Sequence, residues 1–268
     1  MALPILDYFI GQLGPYPFAK LANVQSTTRF GGMENASNIF YFENSVTGKG
    51  RIQRLLAHEI AHQWFGNSAS EADWPHIWLS EGFATYCTDL YTEHAMGRDS
   101  LVHYLQKERQ AVIAFNQKKS IPVIQEGVTN YFQLLNANSY QKGAWVLHML
   151  RRKLGDQAFW TGIREYYHHF ALSNATTPDF QAVMEEVSGE DLENFFQEWL
   201  YTAGHPKLEY DWKYKSKVLT LNLKQSQKEG HFHFPLELLF RFKDGTSGFY
   251  TIEVTEDKQS FSGLLNRK

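Results

Sequence analysis

Two histidines four residues apart, with a glutamate further along, constrain this chain more than any other feature. They can act together only if two helices fold back against one another. Residues 58–62 read HEIAH, and Glu81 lies within WLSEGFATY. On a helix turning about 100° per residue, His58 and His62 stand roughly 40° apart on one face, so both imidazoles can reach one metal ion. Glu59 lies about 100° round from His58, beside such an ion rather than on it, where its carboxylate can hold a water. A catalytic zinc takes three protein ligands and keeps a fourth position for water, whose pKa it lowers to about 7. Glu81 is the candidate third ligand.

The surroundings suit that reading. LLAHEIAHQWFGN is apolar at helical spacing, and Gly66 with Asn67 is expected to end the helix in a left-handed cap. WLSEGFATYCTDLYTEHAMG predicts a second helix closed by Gly97, and a bend between the two would return Glu81 to the histidine pair. The competing reading is a pair of core histidines on a buried helix, each satisfied by hydrogen bonds.

Composition excludes several classes. With 26 basic and 29 acidic residues in 268, a net charge of −3 and no basic run, the chain is not built for nucleic acid. Its single cysteine, Cys87, rules out an internal disulfide and a thiolate zinc cluster. Aromatic residues make up 15% of the sequence, as suits a packed globular enzyme. No stretch reaches the roughly 18 apolar residues of a membrane span. The start, MALPILDYFIGQLGPYPF, lacks a basic leader and reads as domain interior, so the chain is expected to be excised from a longer protein. Asn35-Ala-Ser37 and Asn174-Ala-Thr176 match the glycosylation triplet, a weak pattern.

Along the chain, residues 16–43 look extended, with Gly31-Gly32 interrupting. From Gly50 to about Gly204 the pattern is helical, with Asp99 or Ser100, Asp156, Thr177 (ahead of Pro178) and Asp191 as candidate helix starts, and a stop at Gly155. Beyond Gly204 the sequence alternates in period two, predicting one antiparallel sheet of four or five strands. Domains are therefore expected at 1–204 and 205–268. His231 and His233 fall on one strand face as a solvated pair, and His168-His169 late in a helix, where imidazolium suits the dipole.

HEIAHQWFGN, WLSEGFATY, GGMEN (31–35) and SYQKGAWVL (139–147), in order and spacing, resemble the aminopeptidase N type of zinc aminopeptidase, a gluzincin family. The resemblance spans roughly residues 5–205. It implies an α+β fold: a thermolysin-like, mostly helical catalytic domain followed by a small antiparallel β domain. It also implies removal of single amino acids from peptides with a free N-terminus. Carried over, His58, His62 and Glu81 would bind one zinc ion and Glu59 would be the general base. Glu34 would hold the substrate's α-amine, fixing the cut one residue from the chain end. Gly31 and Gly32 allow an extended substrate to approach the backbone as an added strand, and Met33 can line the pocket for its first side chain. GGMEN alone would equally suit a turn. Tyr140 would donate its phenol to the developing oxyanion, while Lys142 and Gly143 serve structure.

Family members usually carry a β domain ahead of the catalytic one, and many have a helical domain after it; neither is in this chain. A complete zinc site with weak or absent peptidase activity is the resulting expectation. The alternatives are a catalytically silent scaffold of the same fold, a same-site hydrolase of a non-peptide substrate such as an epoxide, and an endopeptidase, against which Glu34 argues.

Overall fold

In the computed structural model, which describes residues 1–49 and 52–264, the chain is α+β, as its patterning predicts. It forms two compact units, residues 1–119 with 123–193, and residues 120–122 with 194–268. The units part ahead of the compositional shift at Gly204, because the last helical segment packs with the strands. Trp199 stands 5.1 Å from Phe232, centroid to centroid, and Glu198 binds both backbone and ring of His233. Gly50, the expected start of the helical stretch, lies outside the described residues.

The first unit opens with α1 (Ala2–Leu13), unexpected from so broken a sequence. Pro4 is tolerated in its first turn, and Ile5, Phe9 and Leu13, four apart, bury one face. Strand β1 (Ala22–Ser26) runs parallel to β3 (Asn38–Phe42), and β2 (Gly32–Met33) joins β3 antiparallel, which leaves β2 at the sheet edge. Then come α2 (Gln53–Ala61), β4 (Ala69–Glu71), α3 (Trp78–Met96) and α4 (Arg98–Lys118). Next are α5 (Gly143–Phe170), β5 (Ser173–Ala175), which pairs with β4, and α6 (Thr177–Ser188). Every residue of α3 from Trp78 to Thr92 is buried, so it is the central helix, flanked by α2, α4 and α5. Beneath it Phe65, Phe83, Tyr166 and Phe180 pack with centroids 4.5–6.3 Å apart, each pair contributing about 0.5–1.5 kcal/mol beyond area burial.

Local details differ from the sequence expectations for identifiable reasons. Gly97 does close α3, but α4 starts directly after it at Arg98, with neither Asp99 nor Ser100 as cap. The cap of α6 is Thr176, not Thr177, because Asp179 reaches back to complete a capping box. Gly155, at φ 79°, breaks α5 where a stop was expected, and the helix resumes at Asp156, whose carboxylate holds Arg151. The helix bearing HEIAH ends sooner than Gly66: from His62 onward the backbone tightens into three-residue turns, Gln63 N–H to Ile60 O and Trp64 N–H to Ala61 O. Gly66, at φ 121°, then turns the chain outside the left-handed helical region.

The second unit holds the short α7 (Glu193–Phe196), a π turn at 197–201, and β6 (Leu208–Lys215), β7 (Val218–Gln225), β8 (Phe234–Arg241), β9 (Ser247–Val254) and β10 (Lys258–Leu264). These five strands make two sheets, β10-β7-β6 and β8-β9, rather than one. The segment HFHF does not extend β8 forward. The Gln225 side chain takes the backbone of Phe232, while Asp257 binds His231 and Glu198 binds His233, which withholds those residues from a ladder. An apolar cleft of about 860 Å³ lies among Leu221, Leu223, Leu236 and Leu238. No described helix is long and apolar enough to cross a membrane.

A buried charge cluster ties α2, α3 and α4 together. Arg54, one turn before His58, donates to Asp89 and Thr92 at 2.8 Å and lies 3.7 Å over the Tyr104 ring. Glu108 completes the group, and burial together with the neighbouring Asp89 pushes its pKa up to about 10; burial raises Asp89 too, against the pull of Arg54. The Glu108 carboxyl therefore keeps its proton at neutral pH in the folded chain, where the unfolded chain, with a glutamate pKa near 4.3, has lost it. Its contribution to stability is complete in acid and declines as pH climbs through that window towards 10. Thermal melts should accordingly show Glu108→Gln losing several degrees less than wild type between pH 6 and pH 9; equal losses would contradict the raised pKa.

Candidate active site

The end of α2 and the first turn of α3 converge on one point. His58 and His62 lie on one face of α2, with Nε2 atoms 3.2 Å apart. Glu81 Oε2 stands 3.3 Å from His58 Nε2 and 3.2 Å from His62 Nε2. His62 Nδ1 donates to the Phe65 carbonyl at 3.1 Å, the second partner that fixes which nitrogen faces the cluster. The spacing is informative. Ligand atoms about 2.0–2.2 Å from one ion at tetrahedral angles stand about 3.3–3.5 Å from one another, and this trio matches without rearrangement. Glu81 Oε2 is buried and makes no hydrogen bond, an orphan acceptor aimed into the cluster. The donor set of two imidazoles and a carboxylate fits a transition-metal dication such as zinc.

Close packing, not chance, sets the place of Glu81. A Cβ on Gly82 would meet backbone atoms of Gly143 at 3.0–3.1 Å, so α3 and the start of α5 touch main chain to main chain. That contact brings Tyr140, in the π turn 138–142, onto Glu81: its phenol donates to Oε1 at 2.7 Å, and its ring stacks on His58 at 6.0 Å. Burial, then the negative charges of Glu81, Glu34 and Glu59, hold the Tyr140 pKa far above its ordinary value, so the phenol stays a neutral donor. Ser80 donates a hydrogen bond to Glu71, whose pKa is raised by burial, and this fixes the residue before Glu81.

Glu59 is 4% exposed, and its Oε2 has no hydrogen-bond partner. Burial raises its pKa most, His58 and His62 pull it down, and Glu34 and Glu81 add to the rise. The backbone of β2 lies against its carboxyl: a Cβ at Gly32 would overlap the Glu59 side chain. Gly32 and Met33 form the edge strand and are half-buried, while Gly31, beside Leu55, is exposed. Glu34 is half-buried, and its charge is felt at Glu59, His62 and Tyr140. The structure thus brings all nine residues singled out in the sequence into one neighbourhood.

Sequence reasoning missed three contributors. Gln63 and Asn67 both donate to the Glu34 carbonyl, and Glu71 receives Ser80. Gln63 and Asn67 lie inside HEIAHQWFGN, and a fully apolar helix face would not need them. Glu71 gave no signal, since its partner is set by the bend before α3. The two other histidine pairs noted in the sequence lie elsewhere: His168 and His169 cluster with Glu165 in solvent at the end of α5, and His231 and His233 are tied to carboxylates of the second unit.

Metal removal has a defined consequence. Dialysed protein should carry near one zinc per chain by elemental analysis, and His62→Ala well under half of that. Zinc at 100 times its dissociation constant should stabilise the wild type by about 2.7 kcal/mol, read as a rise in melting temperature that a chelator reverses.

Comparison with known proteins identifies the family. The profile of the peptidase family M1 domain matches residues 5–199. Aminopeptidase M1-C of Oryza sativa subsp. japonica is 34% identical over 234 residues, 82% of this chain and 26% of that protein. Probable aminopeptidase 2 of Sulfurisphaera tokodaii is 33% identical over 193 residues, 66% of this chain and 24% of that protein. The chain thus spans about a quarter of the length of these curated relatives. Among solved structures, a mutant M1 zinc metallopeptidase of Deinococcus radiodurans bound to a Tyr-Ser-Ala substrate is similar at a TM-score of 0.64 and 27% identity, over 76% of this chain and 44% of that one. Legionella pneumophila aminopeptidase A, at a TM-score of 0.82 and 17% identity, covers 98% of this chain and 32% of its own, a likeness of fold. With a matched profile over most of its length, and with relatives of this identity, the chain belongs to peptidase family M1.

Proposed function

We propose that the chain carries the catalytic site of a zinc aminopeptidase that releases single residues from peptides with a free N-terminus. The observation that supports it most is the pre-spaced His58–His62–Glu81 cluster, with a buried Glu59 beside it and the half-buried carboxylate of Glu34 near enough for its charge to be felt there. Zinc, when bound there, supplies Lewis-acid polarisation of a carbonyl and a water acidified to near neutrality. The chain's own groups do the rest.

Glu34 pairs with the substrate ammonium, and a peptide laid along the free edge of β2 places its first carbonyl beyond that anchor. Met33 lines the space for the first side chain. Glu59 accepts a proton from the attacking water as its oxygen bonds to the carbonyl carbon. It then returns the proton to the amine nitrogen as the C–N bond breaks. Its burial, which raises its pKa, favours carrying that proton between the two steps. Tyr140 leaves Glu81 Oε1 and gives its hydrogen bond to the oxyanion. This exchange is available only to a neutral phenol.

The test is hydrolysis of an aminoacyl anilide beside its N-acetyl twin, with zinc quantified in each sample. Wild type should cleave the free-amine substrate alone. Glu59→Gln should keep its zinc and lose about 10²–10⁴-fold in kcat, and Tyr140→Phe about 10²–10³-fold. Equal cleavage of both substrates would contradict the amine anchor; zinc without any cleavage would favour either a silent scaffold or a catalytic part that needs its flanking domains, and restoring those domains distinguishes the two.

A further inference from the structure

We infer that Gln63 and Asn67 are positioning residues that fix the distance from the metal cluster to the amine anchor, and with it the place of the cut. This rests on the aminopeptidase reading above. Gln63 follows His62 directly and is fully buried. Its Nε2 donates to the Glu34 carbonyl at 2.8 Å, while its Oε1 accepts the Ser37 N–H at 2.8 Å and the Tyr16 hydroxyl at 3.2 Å. Asn67 Nδ2 donates to the same Glu34 carbonyl at 2.6 Å, and the Asn67 N–H is itself held by the His62 carbonyl at 3.0 Å.

Two amides thus converge on one carbonyl oxygen and fill both of its lone pairs. Both start from the turn that ends the metal helix, one beside a ligand in sequence and the other bonded to that ligand's backbone. Glu34 cannot move toward or away from His62 without breaking both bonds, and the donor on the buried Gln63 would then be left without an acceptor, which is costly. The Glu34 carboxylate stays free for an ammonium, because its backbone carries the attachment. A ruler of this kind makes the first peptide bond, and no other, fall at the metal. Its loss should loosen the choice of bond more than it slows the chemistry.

The test compares zinc-loaded wild type, Gln63→Met, Asn67→Ala and Glu34→Gln. Binding of leucinamide and N-acetyl-leucinamide is measured by calorimetry, with zinc content and melting temperature alongside. Wild type should prefer the free amine. Gln63→Met and Asn67→Ala should keep their zinc and lose at least tenfold of that preference, with binding of the acetylated probe changed by less than twofold. Turnover of leucine anilide should show a raised KM at nearly constant kcat. Asn67 is only half-buried, so its variant decides the matter if Gln63→Met does not fold. Full preference in Asn67→Ala would overturn the inference. So would loss of zinc in that variant, since the contact would then hold the metal helix rather than the anchor. A Glu34→Gln protein that still prefers the free amine, or a wild type with no preference, would instead overturn the amine-anchor reading beneath it.

Discussion

The main-chain contact between Gly82 and Gly143 is the constraint from which the site follows. Any side chain at either position would force α3 and α5 apart, since the nearest atoms across the gap are backbone and cannot swing away. Held at that distance, the first turn of α3 presents Glu81 to the two imidazoles at the end of α2, and the π turn before α5 lays Tyr140 against Glu81 and His58. The Arg54–Asp89–Glu108 cluster does the same on the other side of α2, from one turn before His58. Three helices are thereby locked in the arrangement that a tetrahedral ion requires, and the aromatic packing beneath α3 stiffens the floor.

Charge makes the second level of the argument. Glu34, Glu59, Glu71 and Glu81 lie near one another and near two histidines, with Glu59 and Glu81 almost wholly out of water. Burial disfavours so many carboxylates unless positive charge answers them. On the proposed reading, a dication at the His58–His62–Glu81 point would supply that charge, and an ammonium at Glu34 would supply more. The same electrostatics that make the cluster costly to fold would then make it receptive to both.

Much of this was legible in the residues. The i, i+4 histidines fixed a helix face by geometry alone, and Gly97 and Gly155 punctuated helices where only glycine suits a positive φ. What escaped was set by partners distant in sequence. The HEIAH helix stops short because Gln63 and Asn67 turn inward to Glu34, a contact across some thirty residues. HFHF has the alternation of a strand, yet Gln225, Glu198 and Asp257 take the polar groups of residues 231–233, so β8 begins only at Phe234. Tyr140, one tyrosine among fourteen, was marked out only by its SYQKG setting; its bond to Glu81 comes from the close approach of two glycines distant in sequence.

The central claim is that helix packing holds the metal ligands in place before the metal arrives. Calorimetric titration of zinc into the metal-free chain at several temperatures, with far-ultraviolet circular dichroism on the same samples, tests it most directly. The account predicts one site, a heat-capacity change near zero and an unchanged helical spectrum, because little apolar surface moves on binding. A large negative heat-capacity change with a gain of helix would show that the helices fold around the ion, as in small zinc domains, and would contradict the claim.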